Sequence, residues 1–323
     1  MKIIKFSVLS LVFVLPLMFL GMSVVKVDGY TDKPIIVCTT SAVGSIVREF
    51  LGDMADVVVL VQPGLCPADF DMKPSDVYAV SKAKILFRQN ISGEFWLQGL
   101  LEAAGNPNLT LVTIPGVYNT PEGAKNYIRW VGGNLSQILN LDLDAKISEM
   151  LTEIDDVSSW IAGQAQALHV SSVKVICMNW LKTFVESVGF TVVATYNPPE
   201  TLSAGDINNL INTAQNEGVA LIIDNLQIDV EFGRGIASQV GAEHVVLTNF
   251  PGAIPGTETL ARMLRYNAEQ LFNATNTWRA TLKLRTEKEI LENQVTTFQI
   301  TTALAVTVAV VEAVWLYVRR KRG

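Results

Sequence analysis

The sequence predicts an α/β fold of two lobes, each a parallel sheet flanked by helices, joined by a long backbone helix and bracketed by apolar ends. Three observations carry this. Short β-branched runs alternate with longer stretches of helical period, as parallel strands with crossover helices require. The alternation stops between residues 121 and 168, where the period is helical, and then resumes. Residues 6–25 and 297–318 are apolar runs long enough to cross a bilayer.

At the N-terminus, Lys2 and Lys5 precede the first apolar run, the pattern of a signal peptide or signal anchor over 1–29. The first cysteine is Cys38, so no lipid-bearing cysteine follows the run. "PIIVCTT" (34–40) is expected to be a buried strand, followed by a helix at "SAVGSIVREFLGD". "ADVVVLVQ" (55–62) gives a second strand, which ends at the loop "PGLCPADFDMKPSDV" (63–77). "PSDVYAVSKA" (74–83) starts a helix with Ser75 and Asp76 in its first turn, where an acid is favoured. "KILFRQ" and "LTLVTI" are further strands around the helix "EFWLQGLLEAAG", which completes an N-terminal lobe over 34–140. A linking helix is expected at 141–168. "SVKVICM", "FTVVATY", "VALIIDN" and "HVVLTNF" then supply the strands of a C-terminal lobe over 169–275.

Residues 276–296 have the charge pattern of a helical stalk, 297–318 that of a transmembrane helix, and 319–323 form a basic tail. Trp315 and Tyr317 lie where an aromatic belt would lie. Arg319, Arg320, Lys321 and Arg322 place the tail in the cytoplasm by the positive-inside rule, with the bulk of the chain outside the cell membrane. Sequons at Asn90, Asn108, Asn134 and Asn273 are compatible with that topology. Glu312 is the anomaly: an acid inside hydrocarbon snorkels, pairs or is protonated. A C-terminal anchor in place of a lipid points to an archaeal cell surface.

The 323 residues carry a net charge of −6, which gives no footing for nucleic acid. There is no P-loop, G-x-S-x-G, H-E-x-x-H or C-x-x-C, and only two histidines, so no enzyme is expected. His169, at a helix-to-strand junction, and His244, before a strand, are expected to be surface or capping residues.

Four ordered stretches resemble one family. "PGLCPADFDMKPSD" matches a strand-end loop of the form PGxDPHxYxPxPSD, and "IPGVYNTPEGAK" (114–125) a second loop, both without a gap. "MNWLKTFVESVGF" (178–190) takes the place of a third, and "LIIDNLQ" supplies Asp224 at the position of an acid that follows a strand. Over about residues 34–272 the chain is similar to the zinc/manganese substrate-binding proteins of ABC importers, the helical-backbone (cluster A-I) receptors. The resemblance implies a permease partner, lobes that move little, and a metal held by three histidines and the acid. On this alignment the histidine positions are Ala68, Gly116 and Met178, and alanine and glycine bring no ligating group.

Three ligand readings follow. Cys66, Met178 and Asp224, with Asp69 and Asp71, would make a non-standard site for a transition metal, copper(I) or zinc. A small non-metal solute would use Asn90, Asn179 and Trp180 in the cleft at the strand ends. A surface adhesion or assembly module would bind no solute. Cys66 and Cys177 also stand where a disulfide would staple the lobes. Against that, Cys177 and Met178 alternate along a strand, so a Met178 in the cleft puts Cys177 in the core. Cys38 is expected to be buried and inert.

Overall fold

The computed structural model describes residues 33–322, so the expected signal or anchor segment lies outside the described residues. β1 (Ile35–Cys38), β2 (Asp56–Val59), β3 (Ile85–Arg88) and β4 (Thr110–Thr113) form one parallel sheet in the order β2-β1-β3-β4. β5 (Lys174–Met178), β6 (Thr191–Tyr196), β7 (Leu221–Asn225) and β8 (Glu243–Leu247) form a second, in the matching order β6-β5-β7-β8. All eight expected strands are present, each shorter than its apolar run because the run continues into the loop at the strand end.

Helices cover both faces of the first sheet, so its strands are apolar on both sides. Ile36, Cys38, Ile85 and Phe87 enter the main core, whereas Val37 and Leu86 pack on the other face with Val80, Leu97 and Leu100. The main core is continuous. It includes residues of both sheets and of the two helices between them, α4 (Pro121–Leu139) and α5 (Asp144–Ala167). At Gly132 of α4 an added Cβ would lie 2.8 Å from Ile147 and from Phe50, so only glycine lets these helices approach. The preceding helices are α1 (Ser41–Leu51), α2 (Pro74–Lys82) and α3 (Leu97–Ala104), and the second sheet carries α6 (Lys182–Val188), α7 (Ala204–Glu217) and α8 (Glu231–Val240).

The last helix, α9 (Leu260–Arg322), runs unbroken for 63 residues. Its first turns are core: Leu260, Leu264, Leu271 and Thr275 are buried, and Asn267 donates to the Thr248 carbonyl at 2.7 Å. Trp160 of α5 packs edge-on against Phe272 at 5.8 Å, with Arg265 over its ring. Arg279 donates to the Leu168 carbonyl at 2.7 Å and Arg285 to that of Gly241 at 3.2 Å; beyond them the helix leaves the body, fully exposed. It is long and apolar enough to cross a membrane.

Candidate functional site

The C-terminal ends of both sheets face one cleft, the usual place for a ligand in parallel α/β folds. On the N-terminal side the loops are built around Glu94, a buried carboxylate. It accepts from the Thr39 hydroxyl and from the backbone N–H groups of Gln89 (3.2 Å) and Asn90 (2.7 Å), with Arg88 at 3.8 Å. This folds residues 89–94 back so that Ile91, Ser92 and Gly93 reach the cleft. The 63–77 loop is pinned beside it. Trp96 Nε1 donates to the Pro67 carbonyl at 2.8 Å, and Phe70 packs on the Trp96 ring at 4.2 Å. A Cβ at Gly93 would come within 3.1 Å of Pro67 and of the Ala68 nitrogen, so the two loops meet there only because of glycine. In the third loop Gly116 has φ +90°, and the Tyr127 hydroxyl donates to its carbonyl at 2.9 Å.

The opposite wall is made of amides. Gln227 Nε2 donates to Thr248 Oγ1 and, across the cleft, to the Pro63 carbonyl, both at 2.9 Å. Its Oε1 accepts from the Asn249 backbone at 3.2 Å, and Asn225 Oδ1 accepts from the Gln227 backbone at 3.1 Å. Asn119, from the N-terminal lobe, donates to Asn249 Oδ1 and to the Trp180 carbonyl, both at 3.0 Å. Tyr118 stacks toward Phe250 with centroids 6.3 Å apart. Between the walls lies a cavity of about 450 Å³, within the usual range for small-molecule sites. Among the described residues that line it there is no Asp, Glu, His, Lys or Arg. Two lining groups titrate, Cys66 and Tyr118, and burial pushes both upward, so the thiol and the phenol are neutral.

The structure brings some of the expected residues together and separates others. Cys66, Asn179 and Trp180 line the cavity, as do Ala68 and Gly116. Asp69 and Asp71 are exposed and do not line it; Asn90 turns aside at φ 58° and accepts from Arg88. Met178, which the motif alignment put at the site, does not line it. It is 1% exposed within the main core, because β5 is a central strand covered on both faces, and its successor Asn179 reaches the cleft instead.

Asp224 is likewise turned from the cleft. Its Oδ1 accepts from the Tyr196 hydroxyl, and its Oδ2 lies 2.6 Å from His244 Nε2. His244 is therefore the partner of a buried acid rather than a surface or capping residue. His169 is exposed, at φ 46° just before a 3₁₀ turn. A Cys66–Met178–Asp224 centre is not assembled, and among the described residues no three His, Cys, Asp or Glu side chains are grouped to hold a metal. All three cysteines are free and buried, so no disulfide staples the lobes. Cys38 and Cys177 are pushed up to about 12, mainly by burial.

Comparison with known proteins places this geometry. The family model described as "Zinc-uptake complex component A periplasmic" (ZnuA) matches residues 36–274. The chain belongs to the ZnuA family. The manganese-binding lipoprotein MntA of Halalkalibacterium halodurans is 22% identical over 258 residues, 72% of this chain and 86% of that protein. A crystal structure of ZnuA shares the fold with TM-score 0.63 at 20% identity, covering 76% of this chain and all of the other. A mutant laminin-binding adhesin (Lmb) of Streptococcus agalactiae gives TM-score 0.65 at 17% identity, covering 75% of this chain and 99% of the adhesin. Family membership makes the chain a receptor type of protein rather than an enzyme.

Sequence reasoning missed Asn119, Asn225, Gln227 and Asn249, the amides that make the site. A signal was present, since Asn225 ends β7, and Thr248, Asn249 and Phe250 directly follow β8. Polar residues at the carboxyl ends of parallel strands are the first place to look for ligand contacts in this architecture.

Proposed function

We propose that this ZnuA-family chain is a membrane-tethered, extracytoplasmic solute receptor serving an ABC permease. Its cleft takes a small uncharged polar solute with a flat or ring face, of nucleoside or sugar size, rather than a metal ion. The composition of the cavity wall carries this reading. A zinc, manganese or copper ion is held by imidazole, carboxylate or thiolate, and the lining supplies neutral amides, the Thr183 and Ser92 hydroxyls and a thiol shifted away from thiolate. Those groups suit an uncharged partner with donors and acceptors, and the Tyr118, Trp180 and Phe250 rings suit its flat face. Both lobes contribute to the wall, so an occupant would tighten the contact that Asn119 and Gln227 make between them. The tether reading rests on the apolar part of α9 and the basic residues that end it.

The test is thermal unfolding of the full chain in detergent with nucleosides, mono- and disaccharides and small peptide amides, beside zinc, manganese and copper(I). A ligand at a hundred times its Kd adds about 2.7 kcal/mol to stability, a shift of several degrees. The proposal expects a shift from an uncharged solute, lost in Asn225→Ala, and none from the metals. A stoichiometric metal that raises the melting temperature of the parent chain and still does so in Asn225→Ala overturns it.

A further inference from the structure

Beyond the lobes, α9 presents an exposed apolar seam. Leu284, Leu291, Val295 and Phe298 are all more than half exposed. Their spacing of seven, four and three residues is the heptad pattern of a coiled coil, with Leu284, Leu291 and Phe298 at d and Val295 at a. Lys288 takes the other a position of this stretch. The seam begins where the body lets go. Thr281 and Arg285 bond to Glu243 and Gly241 of the C-terminal lobe, while Leu284 between them faces solvent. A hollow between Leu284, Leu291 and Val295, edged by Glu287, Lys288 and Glu292, has the form of a hole that receives a knob from a facing helix.

Continued at the same spacing, the seam passes through Thr302, Ala305, Ala309, Glu312 and Leu316. Small residues allow close approach of helices in lipid. Glu312 falls at d, so the one acid of the apolar run sits on the seam and not on a random face. Facing lipid alone an acid is costly there.

We propose that α9 pairs in parallel with the α9 of a second copy of this chain along the seam from Leu284 to Leu316, roughly 48 Å of helix. Charge and chemistry select a second copy. In a parallel pair each Lys288 meets the Glu287 and Glu292 carboxylates that flank the partner's seam, groups that its own helix only partly satisfies (Lys288–Glu292, 3.7 Å). The two Glu312 side chains meet in one layer, where neither faces lipid alone. An antiparallel arrangement is excluded for two copies that cross a bilayer in the same sense. The membrane part rests on the tether reading above; the Leu284–Phe298 part does not.

Disulfide trapping in the full chain reconstituted into phosphatidylcholine vesicles tests this, because Cys38, Cys66 and Cys177 are buried. Leu291→Cys and Val295→Cys are expected to cross-link under mild oxidation to twice the chain mass. Asn293→Cys, on the opposite side of the helix, is expected to stay monomeric. Glu312→Ala is expected to weaken the pair about tenfold in sedimentation equilibrium in detergent, and Glu312→Gln less. Equal cross-linking at all three positions, none at any, or a product of another mass overturns the proposal. Alkaline extraction of the same vesicles separates the two readings. A chain that is extracted yet cross-links at Leu291→Cys refutes the tether and supports the pair. A retained chain that fails to cross-link refutes the pair and leaves the tether standing.

Discussion

Removing the Asp224 carboxylate distinguishes a structural acid from a ligand-binding one. In the structure it is 2% exposed, and its two oxygens meet the Tyr196 hydroxyl and His244 Nε2. Asp224→Ala deletes two hydrogen bonds to a charged acceptor, each worth about 1.5–3 kcal/mol. Neither partner is left stranded. Tyr196 keeps the Ile223 carbonyl at 3.1 Å, and the His244 side chain, 15% exposed, can turn to water. Both losses therefore fall at the low end, for a total of about 3 kcal/mol. For a body of this size each kcal/mol moves the melting temperature by about 2–4 °C, so the expected fall is roughly 6–12 °C. The assay is thermal unfolding of the full chain in detergent, followed by near-UV circular dichroism, with and without a solute found in the screen. The expected variant melts early but keeps the solute-induced shift. A variant that melts with the parent and has lost the shift refutes the structural assignment and returns Asp224 to the binding site.

Other outcomes follow from the same contacts. Glu49 is pushed up to about 7, first by burial and then by Glu153, so the folded chain keeps a proton there that the unfolded chain releases above about 4.5. Its contribution is therefore full below pH 4.5 and lost as pH rises through 7. Glu49→Gln should gain up to about 3 kcal/mol over the parent at pH 8 and nothing at pH 4, read by urea unfolding at the two pH values. Cys38 and Cys177, buried and held near 12, should be silent to a thiol-reactive chromophore at pH 7.5 until denaturant is added. Trp96→Phe removes the bond to Pro67 while keeping the ring contact with Phe70. It should cost about 1 kcal/mol by urea unfolding and should speed proteolysis in the 63–77 loop. Asn119→Ala frees Asn249 and the Trp180 carbonyl from the N-terminal lobe, and should widen the spread of lobe separations measured between spin labels on the two lobes.

Much of the fold was legible because its strands are buried on both faces. Runs such as "IIVC" and "LIID" need no partner to declare themselves, and the strand-free stretch from 121 to 168 marks the two helices that join the sheets. At two strand ends the expected residue stands one position before the one that lines the cavity, and that step changes the chemistry on offer. Met178, the last residue of β5, lies in the core while Asn179 just after the strand lines the cavity, and Asp224 turns to Tyr196 and His244 while Asn225 lines it. An alignment of motifs places a loop but not the direction of its last strand residue. Asn119 and Asn249 were illegible for another reason: they are 130 positions apart and become a pair only when the lobes meet.

The unbroken α9 also has a mechanical consequence. Its last bond to the body is made by Arg285, and the apolar run begins near residue 297, so about eleven residues of helix, roughly 16 Å, separate the lobe from that run. If that run crosses a membrane, the receptor rides on a short stiff mast and would search for the proposed permease in two dimensions at fixed height. Its cleft is then presented at a high effective concentration to any partner within that reach, and a weak docking surface suffices where a freely diffusing receptor would need a strong one. On that reading a flexible Gly-Ser-Gly hinge inserted after Lys288 would leave the cleft intact but would break both the register of the α9 seam and the stiffness of the mast.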